Sequence, residues 1–114
     1  MRILIVGVCS SGKSSLEDGL KRLGFDARCC VQEHSYVPAM WRTAAPDLLV
    51  YLDAEPATLR RRGETSLDSA ALAEQRAHLS DAREHCDLYV RTDRLSPEEV
   101  VRRVRRFIDR RVRQ

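Results

Sequence analysis

The sequence predicts an α/β fold, a three-layer α/β/α arrangement with a reduced parallel sheet of about four strands in the order 2-1-3-4. Short apolar runs, of the kind found in strands buried on both faces, alternate with segments of helical periodicity. Such segments supply the right-handed crossovers that a parallel sheet requires. The 114 residues contain no internal repeat and no linker, so we expect one domain, 1–114.

The first strand, over residues 2–6, leads directly into a glycine-rich loop. Residues 7–14 (GVCSSGKS) match in full the pattern G-x-x-x-x-G-K-[ST] of phosphate-binding loops, with helical sequence over 13–23. Gly7 and Gly12 can adopt backbone angles that are closed to other residues, so successive N–H groups can turn inward around an anion. The N-terminus of the following helix adds its unpaired amides. The sequence therefore predicts a nucleotide site.

Three further strands are predicted after this loop, over residues 25–32, 48–52 and 87–91. Ala27, Cys29 and Val31 share the expected core face of the second strand. The third strand (LLVYL) is continuously apolar, as expected of a strand with neighbours on both sides. Together with the first strand, these runs give the four-stranded sheet.

Helical segments are predicted over residues 36–43, from Pro56 to Gly63, over about 67–85, and from Pro97 to about 112. Thr65 or Ser66 is the expected cap of the longer middle helix. Ser96 and Glu99 form a capping box before the last helix, with proline at its first position.

Composition favours a soluble, cytoplasmic protein. No apolar run approaches the roughly 18 residues of a membrane span, and the N-terminal run is too short for a signal peptide. The four cysteines show no C-x-x-C spacing, so we expect free thiols rather than a zinc site or a disulfide framework. Seven arginines between Arg102 and Arg113 share the polar face of an amphipathic helix, without aromatic side chains for base stacking. This favours a solvated face over a nucleic-acid interface.

Three stretches resemble P-loop kinases of small molecules, the group that includes nucleoside and nucleotide, shikimate and dephospho-CoA kinases. They are ILIVGVCSSGKSS, PDLLVYLDAEPATLRRR and CDLYVRTDRLSPEEVVRRVRRFID, together about half of the chain. The chain is shorter than these kinases by about one βα unit. The resemblance implies ATP and Mg²⁺ as cofactors and transfer of the γ-phosphoryl group to a small molecule. The alternative is a non-catalytic nucleotide-binding module, or a weak NTPase, with a regulatory or structural role.

The phosphate loop supplies most of the candidate site residues. Those expected to contact the nucleotide are Gly7, Val8, Cys9, Ser10, Ser11, Gly12, Lys13, Ser14 and Ser15. Lys13 can reach the β- and γ-phosphates, and the Ser14 hydroxyl can sit on Mg²⁺. The resemblance places Arg94 where similar kinases hold the adenine base.

Charged residues near the carboxyl ends of the strands complete the candidate site. Glu33, after the second strand, is the first candidate to hold Mg²⁺ or orient an acceptor hydroxyl, and Asp53, after the third, is the second. The resemblance implies lid arginines that neutralise the transferred group. Arg60 or Arg61 paired with Arg76 is preferred among the arginines of the matching region, which are Arg60, Arg61, Arg62, Arg76 and Arg83. The expected partners are a nucleotide and an unidentified small-molecule acceptor, without a membrane; a homodimer stays open.

Overall fold

A computed structural model of the chain describes residues 1–63 and 68–113. Its sheet contains the strands β1 (Arg2–Gly7), β2 (Asp26–Cys29), β3 (Leu48–Asp53) and β4 (Leu88–Arg91). All the pairings are parallel, and the order is β2-β1-β3-β4. The predicted α/β class and the order 2-1-3-4 are therefore confirmed, with the strand before the glycine-rich loop between two neighbours.

Helices cover both faces of this sheet. The described residues form α1 (Lys13–Arg22), α2 (Pro56–Arg61), α3 (Ser69–His78), α4 (Ser80–His85), α5 (Pro97–Val112) and two 3₁₀ turns, Gln32–His34 and Met40–Ala44. Side chains of β1 alternate between the faces, so Ile3 and Ile5 pack with α1 and α5, whereas Leu4 and Val6 pack with α2, α3 and α4. Within residues 1–63 and 68–113, no helix combines the length and apolarity needed to cross a bilayer.

The second strand is shorter than predicted. Its last ladder hydrogen bond runs from the Cys30 N–H to the Ile5 carbonyl at 2.9 Å, and the chain then turns into the first 3₁₀ turn. Val31, predicted on the core face, is 60 % exposed, although Ala27 is fully buried. Apolar residues continue past Cys29, so alternation alone placed the end of the strand too late.

The helix predicted over residues 67–85 is two helices in the structure. Asp68 caps α3 by accepting a hydrogen bond from a first-turn N–H at 2.8 Å, and α4 begins after Leu79. Leu72 and Leu79 are buried in the same cluster, so the apolar spacing continues across the break and does not reveal it.

The short helix predicted over residues 36–43 is wrong in extent. Only Met40–Ala44 forms a 3₁₀ turn, because the preceding segment folds around the buried amide of Gln32. That amide donates to the Val37 carbonyl and accepts the Trp41 N–H, both at 2.8 Å. The predicted caps Thr65 and Ser66 lie outside the described residues.

Helix α5 packs closely against Gly19 of α1. A Cβ atom built on Gly19 would overlap the Cγ2 atom of Val101. Glycine is a poor helix former, so its place in the middle of α1 is explained by this contact rather than by helix propensity. The packing of the two helices on one face of the sheet thus requires glycine at position 19, where a side chain would not fit.

We expect Gly19→Ala to lower the free energy of unfolding by about 1–3 kcal/mol, because the added methyl group forces the helices apart. Urea denaturation of the purified variants measures this loss. Val101→Ala makes room for the methyl group, so the double variant should lose less stability than the two single variants summed. Strictly additive losses would contradict the contact.

None of the four cysteines forms a disulfide in the structure. Burial, together with the nearby Glu17 carboxylate, raises the pKa of Cys29 to about 11. Burial also raises the pKa of Cys30 and of Cys86. These three thiols are therefore protonated and poorly nucleophilic near neutral pH.

We expect iodoacetamide to alkylate Cys29 about a hundredfold more slowly at pH 8 in the folded protein than in the denatured chain. Only the thiolate reacts, and its fraction falls tenfold for each unit by which the pKa rises. The rate should rise about tenfold per pH unit up to about pH 10. Mass spectrometry of tryptic peptides follows each cysteine separately, and alkylation of Cys29 at the denatured rate would contradict its burial.

Candidate functional site

The segment between β1 and α1, residues 7–14, forms a tight turn that we call the glycine loop. Gly7 lies so close to β3 that a Cβ atom built on it would overlap the carbonyl oxygen of Leu52. Gly12 has a φ of 109°, which favours glycine, and precedes α1 without a side-chain cap. No side chain from that position therefore occupies the amides of the first helical turn, which face the space before the helix.

Two side chains hold carbonyl groups of the glycine loop. The buried Thr92 hydroxyl donates to the Ser11 carbonyl at 2.7 Å, and the Arg62 guanidinium donates to the Ser10 carbonyl at 2.9 Å. Arg62 also donates to the Thr92 carbonyl at 2.7 Å. The connections that follow α2 and β4 are thus tied to the glycine loop.

The partly buried Lys13 and the buried Glu33 form an ion pair beside the glycine loop. Lys13 Nζ lies 2.6 Å from Glu33 Oε2, and it donates to the carbonyl oxygens of Gly7 at 2.7 Å and Val8 at 3.2 Å. The Glu33 side chain is 4 % exposed, and its Oε1 atom has no hydrogen-bond partner among the described residues. A buried carboxylate oxygen without a partner is a position that a cation can fill.

An open cavity of about 340 Å³ lies in front of the glycine loop. Its lining residues are Cys9, Ser10, Gly12, Lys13, Ser14, Ser15 and Glu33. Among the residues predicted to bind nucleotide or metal, the structure therefore brings Lys13, Ser14 and Glu33 to one place. The cavity is lined by the start of α1 and by Glu33 of the first 3₁₀ turn, two segments that are distant in sequence.

A second cleft, of about 250 Å³, lies on the other side of the start of α1. It is lined by Ser11, Gly12, Ser15, Leu16, Arg62, Thr92, Leu95, Pro97 and Val100. Leu16 and Val100 give it an apolar wall, and Arg62 gives it a cation. A flat aromatic group would find apolar surface and a guanidinium in the same cleft.

Asp53 is fully engaged in hydrogen bonds. Its Oδ1 atom accepts from Arg76 at 3.1 Å and from the Ala54 N–H at 2.9 Å, and its Oδ2 atom accepts from the Tyr89 hydroxyl at 2.7 Å. Burial and this hydrogen bond raise the pKa of Tyr89. Asp53 therefore joins β3 to β4 and α3, whereas Glu33 Oε1 has no hydrogen-bond partner within the described residues.

Arg62 contacts the glycine loop through the Ser10 carbonyl. Within the predicted set, Arg60 is exposed, Arg61 donates to a hydroxyl of its own helix, and Arg76 pairs with the carboxylate at the end of β3. Arg94 is exposed. Arg62 follows the last residue of α2, and its position beside the loop depends on where that short helix ends.

No protein-family model matches this chain. Nor does any curated protein. Function is therefore inferred from the residues and the geometry of the glycine loop and its surroundings.

Other residues that shape the site gave no sequence signal. Gln75, on α3, accepts a hydrogen bond from the Cys9 N–H at 3.0 Å, and its amide nitrogen donates to Cys9 Sγ at 3.3 Å. His78 Nδ1 lies 2.9 Å from the Glu33 carbonyl oxygen. Glutamine and histidine on a helix are more often solvated, so only the contact of α3 with the first 3₁₀ turn reveals their positions.

Proposed function

We propose that the chain is an ATP-binding P-loop protein of the small-molecule kinase type, which transfers the γ-phosphoryl group of ATP to a small molecule. The observation that carries the proposal is that one cavity is lined by the glycine loop, the start of α1, Lys13, Ser14 and Glu33 together. Loop amides and a helix N-terminus bind phosphate, and the lysine and the oxygen ligands serve a triphosphate with its metal.

Lys13 is the residue that would act on the β- and γ-phosphates. Its ammonium group now donates to Glu33 and to the carbonyl oxygens of Gly7 and Val8. The side chain already lines the cavity, so a rotation would carry the ammonium group to a phosphate there. Phosphate oxygens carry formal charge and form stronger hydrogen bonds with an ammonium group than neutral carbonyls do.

Ser14 and Glu33 are the residues that would hold Mg²⁺. Protein sites for this ion use oxygen ligands, commonly one or two side chains together with phosphates and water. Both residues line the cavity, and in the described chain the buried Oε1 atom of Glu33 is left without a partner, so the donor set fits the ion. When bound, the ion neutralises charge on the transferred group.

The base would occupy the second cleft. Leu16 and Val100 offer apolar surface to the base, and the Arg62 guanidinium offers a planar cation at the edge of the same cleft. In this proposal Arg62 lies beside the base, where the sequence resemblance placed Arg94.

Transfer breaks the bond between the γ-phosphorus and the β–γ bridging oxygen and forms a bond from the acceptor oxygen to the γ-phosphorus. Lys13 stabilises the charge on the phosphates during this step. A carboxylate takes the proton of an acceptor hydroxyl, and Glu33 is better placed than Asp53, because both oxygens of Asp53 are engaged.

The alternative is a nucleotide-binding module, or a weak NTPase, without a true acceptor. One observation favours it. Of the two acidic candidates, only Glu33 keeps an unengaged oxygen within the described structure, so metal and acceptor would compete for one side chain.

Incubation of the protein with γ-labelled Mg·ATP and a pool of small metabolites tests the proposal. A labelled small molecule other than inorganic phosphate would support the kinase. Tight binding of Mg·ATP without any labelled acceptor would favour the module. If the folded protein binds neither Mg·ATP nor Mg·GTP in a calorimetric titration, both forms of the proposal fail.

We expect Arg62→Ala to weaken the binding of Mg·ATP about tenfold, because the variant loses a cation of the base cleft and a hydrogen bond to the glycine loop. Arg60→Ala is the matched control, since it removes an exposed charge of the same sign two positions earlier. It should leave the affinity within about twofold. Equal losses in calorimetric titrations of both variants would indicate a general charge effect instead of this contact.

A further inference from the structure

Three potential metal ligands meet at the edge of the glycine loop: Cys9, Glu33 and His34. Cys9 Sγ lies 3.4 Å from His34 Nε2, which lies 3.9 Å from Glu33 Oε2, and one ligand atom from each residue falls within 4.8 Å of the others. In a tetrahedral zinc site, with bonds of about 2.0–2.3 Å, ligand atoms stand roughly 3.3–3.7 Å apart. Small side-chain rotations would close the observed triangle around such an ion.

We propose that Cys9, Glu33 and His34 bind a thiophilic divalent cation, with Zn²⁺ as the best match. Thiolate, imidazole and carboxylate are the three ligand types that Zn²⁺ accepts, and three protein ligands leave a fourth position for water. Mg²⁺ prefers oxygen ligands alone, so this site differs in chemistry from the one proposed at Ser14 and Glu33. The proposal does not depend on the protein being a kinase.

Two observations outside the triangle support a bound cation. Glu33 is 3 % exposed, and its two oxygens differ: Oε2, the atom nearest His34, is held by Lys13, whereas Oε1 is buried and has no hydrogen-bond partner within the described residues, so the carboxylate is not saturated by the protein. Gln75 contacts Cys9 twice: its side-chain oxygen accepts from the Cys9 N–H, and its side-chain nitrogen donates to the Cys9 sulfur. Hydrogen bonds of this kind, from outside the ligand set, orient the ligands of metal sites.

The charge and the access of the site also suit a divalent ion. A Cys9 thiolate and the Glu33 carboxylate supply two negative charges, and the His34 side chain is 57 % exposed, so an ion can enter from solvent. Lys13 is now the partner of Glu33 at 2.6 Å. A cation bound by Glu33 would therefore compete with the Lys13 ammonium group for this carboxylate.

Titration of the intact protein with Co²⁺, a spectroscopic substitute for Zn²⁺, tests the site without any nucleotide. We expect one Co²⁺ per chain, a thiolate-to-cobalt charge-transfer band in the near ultraviolet and intense visible bands of tetrahedral geometry, all bleached when Zn²⁺ is added. Cys9→Ser should abolish the charge-transfer band. His34→Ala, at an exposed position that does not endanger folding, should weaken binding at least about tenfold.

Two further variants sharpen the test. Cys86→Ser removes a thiol from another part of the fold and should bind Co²⁺ as the wild type does. Lys13→Ala should retain or tighten Co²⁺ binding while it weakens nucleotide binding, so the two proposals can fail separately. Wild-type protein without the charge-transfer band, or a band that survives Cys9→Ser, would overturn the metal site.

Discussion

Lys13→Ala is expected to weaken the binding of Mg·ATP at least about a hundredfold, which corresponds to about 2.7 kcal/mol. The variant removes the ammonium group that lines the cavity before the glycine loop. Hydrogen bonds from an ammonium group to phosphate are charge-assisted and belong to the strong ones. Isothermal titration calorimetry at fixed Mg²⁺ concentration measures the effect.

The chain offers a matched control for this experiment. Lys21 is its other lysine, lies on the same helix and has a side chain that is 54 % exposed, so Lys21→Ala should leave the affinity within about twofold. Lys13→Ala also leaves the Glu33 carboxylate buried without its partner, which destabilises the fold. Lys13→Ala/Glu33→Gln removes that charge, and wild-type affinity in this double variant would contradict the role of Lys13.

Gly7→Ala is expected to lower the free energy of unfolding by at least about 3 kcal/mol, or to prevent folding. The new methyl group would overlap the carbonyl oxygen of Leu52 and lie 2.8 Å from Ser11 Oγ. Leu52 belongs to β3, which pairs with β1 on one side and β4 on the other, so its backbone cannot yield without loss of sheet pairing. Denaturant titration followed by circular dichroism measures the change.

Gly24→Ala is the control that separates this overlap from the general effect of replacing a glycine. Gly24 has a φ of 89°, and a Cβ atom built on it meets nothing within 4 Å. Its replacement should cost only about 1 kcal/mol, the conformational part of the effect. If both variants lose the same stability, close approach to β3 is not the cause.

The strand order was predictable because continuously apolar runs and a glycine-rich turn are strong local signals. Residues of β1 alternate between two buried clusters, and that double burial is what made the run apolar throughout. The end of β2 and the break at Leu79 were not predictable, because in both places the apolar spacing continues while the strand or helix ends. Tertiary contacts, such as those of Gln32, decide where a strand or helix ends, and the apolar pattern does not reveal them.

The candidate site was predictable where one motif contains it and not where it is assembled from distant segments. The placement of Lys13 and Ser14 follows from the motif, and Glu33 follows from its place after a strand. The choice of Arg62 over Arg60 depends on a single turn at the end of a six-residue helix, below what sequence can resolve. Gln75 reaches Cys9 only through the packing of α3.

Thr92 and Arg62 shape the glycine loop before any ligand arrives. The conformational entropy of the loop is therefore lost when the chain folds, and little of that loss remains for the binding step. An anion would meet a pre-organised surface, with one long side chain, Lys13, left to reorient. Affinity at such a surface depends on the contacts that the ligand makes. The entropy of ordering the loop instead lowers the free energy of unfolding of the protein.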